Sequence, residues 1–259
     1  MDLYRDPEVY DLVYRSGTAD QFASLQKIAA LSAIPAEGPW LETACGSARL
    51  LVEAEKAGIA VAGFDREPAM VDYARSRLSP AANLSVCDLE SCSRAFEPRS
   101  IPFAFTLINT IRHLESDAAV LAHFGEMAKV LTRGGVYVVG LSLHDRARAE
   151  IEEDLWQGSE AGITVTELST SLPPENESRF ETIVSHLTIE RSGEPPEHRD
   201  ASFPLRVYSQ KAWETLVASS MLAPRGTFDL WGDAATAFDG RYVLYALGPR
   251  EESAEQGAE

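Results

Sequence analysis

The chain has 259 residues, 45% of them hydrophobic and 24% charged, with a net charge of −17. That composition gives a globular protein with room for one large domain or one domain carrying an insertion, and excludes general disorder. The acidity disfavours a nucleic acid or an anionic membrane as partner and favours a small molecule, although acidity also serves solubility alone. Three cysteines, Cys45, Cys87 and Cys92, form neither a disulfide framework nor a zinc spacing. The start MDLYRDPEVYDL lacks an apolar core of the signal-peptide kind, and no apolar run reaches membrane-spanning length, so a cytoplasmic location is expected.

Residues 2–34 read as amphipathic helix, with Phe22, Leu25, Ile28, Ala29 and Leu31 at helical spacing before Pro35, Gly38 and Pro39. An alternation follows. Strands are expected at 40–43, 59–64, 83–87, 103–108 and 136–141, and helices at 49–57, 67–78 and 117–131. Gly134–Gly135 is expected to turn the chain into the fifth strand. Short apolar strands alternating with helices predict a doubly wound α/β fold with a mostly parallel sheet, whose ligands bind beyond the carboxyl ends of the strands.

The rhythm breaks near residue 150. Stretches 163–171, 179–191 and 201–208 are rich in Thr, Val and Ile and predict an antiparallel meander inserted after strand five. A helix at 210–219 and a hairpin from 226–231 and 241–247 return to the sheet. The expected divisions are an N-terminal helical segment at 1–34, a core at 35–149 and 208–249, a β-rich cap at 150–207 and a disordered acidic tail at 250–259. The cap is expected to serve the acceptor and to contribute little to cofactor binding; a dimerisation ribbon is the alternative, since exposed strands pair readily. Monomer and homodimer both stay open.

The first strand and turn read Leu41-Glu42-Thr43-Ala44-Cys45-Gly46-Ser47-Ala48-Arg49. Small residues let the backbone approach a ligand, and the following helix offers free N–H groups. Asp65 comes 19 residues after Gly46, at the end of the next strand, where a carboxylate suits ribose hydroxyls. The turn lacks the further glycines that a pyrophosphate needs, and Glu42 would oppose a phosphate while suiting a cationic amino-acid tail. Cys45 reads as a small residue that fits the turn.

With these motifs the chain resembles the class I S-adenosylmethionine-dependent methyltransferases, over about 36–142 and again at 203–247. LETACGSARL is similar to the first motif, VAGFDREPAMVDYAR to the second, SVCDLESC to the third, FTLINTIRHL to the segment after strand four, and LTRGGVYVVGLSL to the entry into strand five. The resemblance implies a Rossmann-like seven-stranded sheet, S-adenosyl-L-methionine as cofactor, no metal, and a small-molecule acceptor methylated at N or O. It implies cofactor contacts from Tyr10, Tyr14, Glu42, Ala44, Gly46, Arg49, Asp65, Arg66, Met70, Asp88, Leu89, Asn109 and Thr110. His113 and His144 are the candidate acid–base residues, with anchoring and ordinary packing as the alternatives. Ala44 and Ala48 replace glycines of the first motif, and Ala104 stands where the fourth strand often carries aspartate. Asn109-Thr110-Ile111-Arg112 replaces the Asn/Asp-Pro-Pro-Tyr of nucleic-acid amino methyltransferases. The alternatives from other classes are a cofactor-binding protein without transferase activity and a nicotinamide oxidoreductase.

Overall fold

The structure is a computed structural model that describes residues 2–35, 37–144, 150–235 and 242–250. The N-terminal segment is not one helix. A 3-10 turn at Asp2–Arg5 leads to α1 (Pro7–Tyr14), and Gly17, at φ +75°, breaks the chain before α2 (Thr18–Leu31). Asp6 caps α1 by accepting from the Val9 N–H, and Pro7 sits in the first turn, where its missing donor costs nothing.

Then come β1 (Trp40–Thr43), α3 (Arg49–Lys56), β2 (Val61–Asp65), α4 (Pro68–Arg77), β3 (Asn83–Val86), β4 (Ile101–Thr106), α5 (Asp117–Val130) and β5 (Leu131–Ser142). After the insertion come α6 (Gln210–Ala218), β10 (Leu222–Phe228) and β11 (Tyr242–Pro249). The seven-stranded sheet runs β10-β11-β5-β4-β1-β2-β3. Strands β1–β5 are parallel, and β11 pairs antiparallel with both β5 and β10. The order reverses beside β1, so the ends of β1, β2 and β4 converge on one crevice.

Alternate residues along each strand enter opposite cores. Leu41, Ala104 and Tyr245 join Phe124 and Trp213 on the α5–α6 face, while Trp40, Phe103 and Phe105 join Leu25, Leu50 and Ala74 on the α2–α3–α4 face. Both faces are therefore covered, which is why these strands read as apolar runs.

Three expectations at element boundaries are corrected. Gly134–Gly135 does not precede β5; it lies within it, at a register shift that pairs Ile101 with Leu131 but Phe103 with Val136. Gly135 is required there, because a Cβ would stand 2.9 Å from the Ile101 carbonyl oxygen. The closing hairpin begins at Leu222, not Gly226. A 3-10 helix over Leu89–Ala95 follows β3 where none was expected. Of the acidic tail only Arg250 is described, and it donates to the Ser220 and Ala218 carbonyls; residues 251–259 lie outside the described residues.

The insertion is a separate four-stranded antiparallel sheet of β6 (Glu152–Glu160), β7 (Ile163–Leu172), β8 (Phe180–Arg191) and β9 (Glu197–Arg206), in that order. The first strand is missing from the sequence reading because EEDLWQGSE is acidic and carries little β-branched residue. The sheet does not stand apart from the N-terminal segment. Leu3, Val9, Leu12 and Val13 share a third core with Val165, Leu187 and Ile189. Contact is closest at Gly158, where a Cβ would fall 1.8 Å from the Leu12 carbonyl oxygen. Among the described residues no helix is long and apolar enough to cross a membrane.

Candidate functional site

The crevice is built first by the turn after β1. Ala44 (φ 52°), Gly46 (φ 51°) and Ala48 (φ 58°) all adopt the left-handed conformation. Alanine pays on the order of 1 kcal/mol for this, so the two replaced glycines change the cost of the turn and not its path. Gly46 is needed for a second reason: a Cβ there would sit 3.2 Å from the Tyr10 ring. Tyr10 therefore lies directly on the turn. A latch holds α1 in that place. Asp11 is fully buried and pairs with Arg15 at 2.7 Å and with Arg77 of α4, while Arg77 also donates to the Ser47 carbonyl at 3.0 Å.

Asp65 ends β2 beside the turn. Its two oxygens accept from the Gly46 N–H at 2.8 Å and the Glu67 N–H at 3.0 Å, which locks the turn to the start of α4. Each oxygen keeps a second lone pair. Burial raises the Asp65 pKa, opposed by these backbone bonds.

Glu42 is buried, and its Oε2 has no hydrogen-bond partner. Burial raises its pKa to about 8, with Arg49 opposing and Asp65 adding to the rise. An orphan carboxyl oxygen inside a crevice is a group that lacks its partner. Arg49 is buried and bonds neutral groups, Thr18 at 3.0 Å and Gln21 at 2.6 Å, so it ties α3 to α2. The thiol of Cys45 is buried and pushed well up in pKa by that burial, followed by Glu42 and Asp65, which suits packing and not nucleophilic attack.

The outer lip is looser. Arg66 and Asp88 are exposed and 3.7 Å apart. Met70 is buried beneath them. Leu89 is fixed by a buried polar chain that the sequence reading missed. Its carbonyl meets His123 Nδ1 at 2.9 Å, His123 Nε2 meets the Tyr137 hydroxyl at 2.8 Å, and that hydroxyl meets Thr43 Oγ1 at 2.9 Å. His123 is held neutral, its pKa lowered by burial to about 4. This chain runs from β1 through β5 and α5 to the loop after β3. His123 shows in the sequence only as one polar residue on an apolar helix face.

The segment after β4 is the third wall. Ile108 (φ 47°) and Asn109 (φ 66°) turn it sharply. The Asn109 side chain clamps Ser142, accepting from its N–H at 2.6 Å and donating to its hydroxyl at 3.2 Å. Thr110 Oγ1 donates to the Leu107 carbonyl at 2.9 Å. The Ile108 N–H donates to the Tyr242 hydroxyl at 2.7 Å, and Gly140 makes the space for that phenol. So the side chains of Asn109 and Thr110 shape the loop themselves, together with backbone bonds from Asn109 N–H to the Gly140 carbonyl and from Thr110 N–H to the Leu107 carbonyl, each 3.2 Å.

The two candidate histidines are separated by their partners. His113 stacks on Phe203, 5.6 Å between centroids, and its Nε2 lies 3.4 Å from the Tyr4 hydroxyl. Desolvation, then Arg112 and Arg66, lower its pKa to about 4. His144 sits where the chain leaves β5, its Nε2 3.2 Å from Glu181 but without hydrogen-bond geometry. Desolvation outweighs Glu181 and lowers its pKa also. Glu181 takes its main bond from Arg112; both are buried, and Arg112 Nε further donates to the Arg206 carbonyl at 2.8 Å. The segment after β4 is thereby fastened to β8 and β9. Asp145, beside His144, lies outside the described residues.

Tyr14 turns away from the β1 turn. Its hydroxyl donates to Glu167 of β7 at 2.8 Å, and its ring packs on Trp156 at 5.7 Å. The structure thus brings Tyr10, Glu42, Ala44, Gly46 and Asp65 together, sets Met70, Leu89, Asn109 and Thr110 around them, and gives Tyr14 to the insertion sheet.

Residues 41–135 match the family model described as Methyltransferase domain. Among curated proteins none matches the sequence significantly. Solved structures are similar over nearly the whole chain. DesVI of Streptomyces venezuelae has 22% identity and a TM-score of 0.74, covering 94% of this chain and 98% of that one. The sugar N-methyltransferase KedS8 from Streptoalloteichus sp. has 21% identity and a TM-score of 0.71, covering 93% of each. CalS10 from Micromonospora echinaspora, an amino pentose methyltransferase solved with S-adenosylmethionine bound, has 21% identity and a TM-score of 0.69, covering 93% of this chain and 96% of that one. At these identities the likeness is one of fold.

Proposed function

We propose that this chain, a methyltransferase of the class I Rossmann-like fold, takes S-adenosylmethionine as donor and methylates the nitrogen of a small-molecule amine. The observation that carries the donor is Glu42: a buried carboxyl oxygen without a partner, beside a glycine-poor turn, fits a cationic amino-acid tail and opposes a pyrophosphate. Asp65 would accept from the ribose hydroxyls through its free lone pairs. Met70 and Leu89 would flank the adenine, with Asp88 and Arg66 at its edge. Tyr10, Ala44, Gly46 and the Asn109–Thr110 backbone would enclose the tail and the sulfonium, and Arg49 would balance the charge of Glu42.

The donor supplies a methyl group already activated on a sulfonium. The chain's part is alignment and exclusion of water, which contribute on the order of 7–11 kcal/mol when a bimolecular step becomes unimolecular. The α1 latch and the Arg112–Glu181 fastening do this by fixing the two walls of the crevice. An amine attacks once unprotonated, whereas a hydroxyl needs a base tuned near neutrality. With its pKa near 4, His113 is poorly suited to that second task. Here His113 is a wall and weak proton acceptor, and His144 an anchor of the insertion. The named activities of KedS8 and CalS10 support an amine as well.

The test is transfer of a radiolabelled methyl group to matched panels of small amines and alcohols. Label in amines is expected. Label in alcohols alone contradicts the nitrogen assignment, and cofactor binding with no transfer to either panel points to a binding protein instead.

A further inference from the structure

Across the inner face of the insertion sheet, Trp156, Glu167, Leu187 and Arg199 stand side by side in register. Glu167 is 2% exposed. Among the described residues no Lys, Arg or His pairs with it; Arg199, in the same row, is engaged by Asp6 at 2.8 Å and Glu197 at 2.6 Å. Two hydroxyls hold the carboxylate: Tyr14 donates at 2.8 Å and Ser185 at 2.5 Å. A buried carboxylate without a counter-charge is expensive, and its neighbours Val165, Leu187 and Val13 ask for nothing ionic. A glutamine has one acceptor oxygen and could accept from only one of the two hydroxyls. The carboxylate supplies the second acceptor and a negative charge.

That charge lies behind aromatic rings. Tyr14 is 5.7 Å from Trp156 and 4.7 Å from Tyr10, and Tyr10 is 5.8 Å from Tyr4. Tyr10 rests on the Gly46 turn, so the row of tyrosines runs from the donor crevice to Glu167. Burial and the Glu167 charge push the Tyr14 phenol well above its usual pKa, so it stays a donor to the carboxylate. Ring faces and a phenol oxygen backed by a buried anion form a surface that attracts cations.

We propose that Glu167, acting through Tyr14, is the positioning residue by which the tyrosine row beside the donor crevice draws in an amine as its ammonium ion, which gives its proton to water before the free amine attacks. This rests on the amine reading above. The permanent cation benzyltrimethylammonium and neutral benzyl alcohol probe it by isothermal titration against protein saturated with S-adenosylhomocysteine. The wild type should bind the cation at least tenfold more tightly than the alcohol. Glu167→Gln, which removes the charge and keeps one acceptor oxygen, should reduce that preference below threefold while S-adenosylhomocysteine affinity stays within threefold. Tyr14→Phe should do the same, and serves if the first variant misfolds. With an amine substrate, Glu167→Gln should raise KM more than it lowers kcat. Equal binding of both probes by the wild type, or an undiminished preference in both variants, overturns the assignment. So does a change in the ratio of S-adenosylmethionine to S-adenosylhomocysteine affinity in Glu167→Gln, which would assign the charge to the donor's sulfonium. Failure of the wild type to bind S-adenosylhomocysteine at all would count against the donor reading, not against Glu167.

Discussion

The two sheets of this molecule are held in place in different ways. At the ends of β1, β2 and β4 the chain is shaped by left-handed turns at Ala44, Gly46, Ala48, Ile108 and Asn109 and fixed by bonds such as Asp65 to Gly46. The insertion sheet is built of regular strands joined to other elements by side-chain bonds spanning 69 residues (Arg112–Glu181) and 153 residues (Tyr14–Glu167). Local backbone geometry leaves a motif in the sequence; long-range side-chain pairing does not.

The largest effect is expected where the two regions are fastened. Glu181→Ala leaves Arg112 buried without its counter-charge and should cost about 3–5 kcal/mol in stability, read by urea denaturation. A loss under ~1 kcal/mol would mean that water or the Glu152 carboxylate compensates Arg112. Next, Asp65→Ala should weaken S-adenosylmethionine binding by about 1.5–3 kcal/mol, since a charged acceptor is lost. Calorimetry showing unchanged affinity in a folded variant would remove Asp65 from the donor site. Gly158→Ala drives a methyl group into the Leu12 carbonyl; overpacking of this kind costs about 1–3 kcal/mol. It should loosen α1 and with it Tyr10, so donor affinity falls although the substitution lies in the insertion. Donor affinity equal to wild type would instead show the cap to be independent of the cofactor site.

The last effect depends on pH. In the folded protein the Glu42 pKa is raised to about 8, above the ordinary carboxyl value. The stability this contributes is present in full below the ordinary value and is lost as pH rises through about 8. Glu42→Gln should therefore match the wild-type melting temperature at pH 5 and exceed it by a few degrees at pH 8.5. Parallel melting curves across that range would show that Glu42 titrates normally.

Most of the parallel sheet was legible in the sequence, because β1, β2, β4 and β5 are largely buried and apolar and α5 repeats its apolar residues at steps of three and four; β3, NLSV, is the polar exception. The places of Asp65 and Glu42 were legible because each lies at or next to the carboxyl end of an apolar strand. β6 was not, since EEDLWQGSE owes its extended form to pairing with β7 and not to its own propensity. The helical reading of 2–34 rested on Phe22, Leu25, Ile28, Ala29 and Leu31, all within α2, while the break before them depends on the left-handed Gly17. His123 and Glu181 became functional neighbours only through the fold: one supports the loop at Leu89, the other seats Arg112. The N-terminal segment and the cap, separate in the sequence, share one core.

The central claim is that the crevice at Glu42 and Asp65 holds S-adenosylmethionine by its cationic tail and ribose. Isothermal titration of the wild-type protein with S-adenosylmethionine and, separately, with NAD tests it most directly. The account predicts saturable binding of S-adenosylmethionine with one site per chain and no binding of NAD at the same concentrations. Micromolar binding of NAD without binding of S-adenosylmethionine would contradict it.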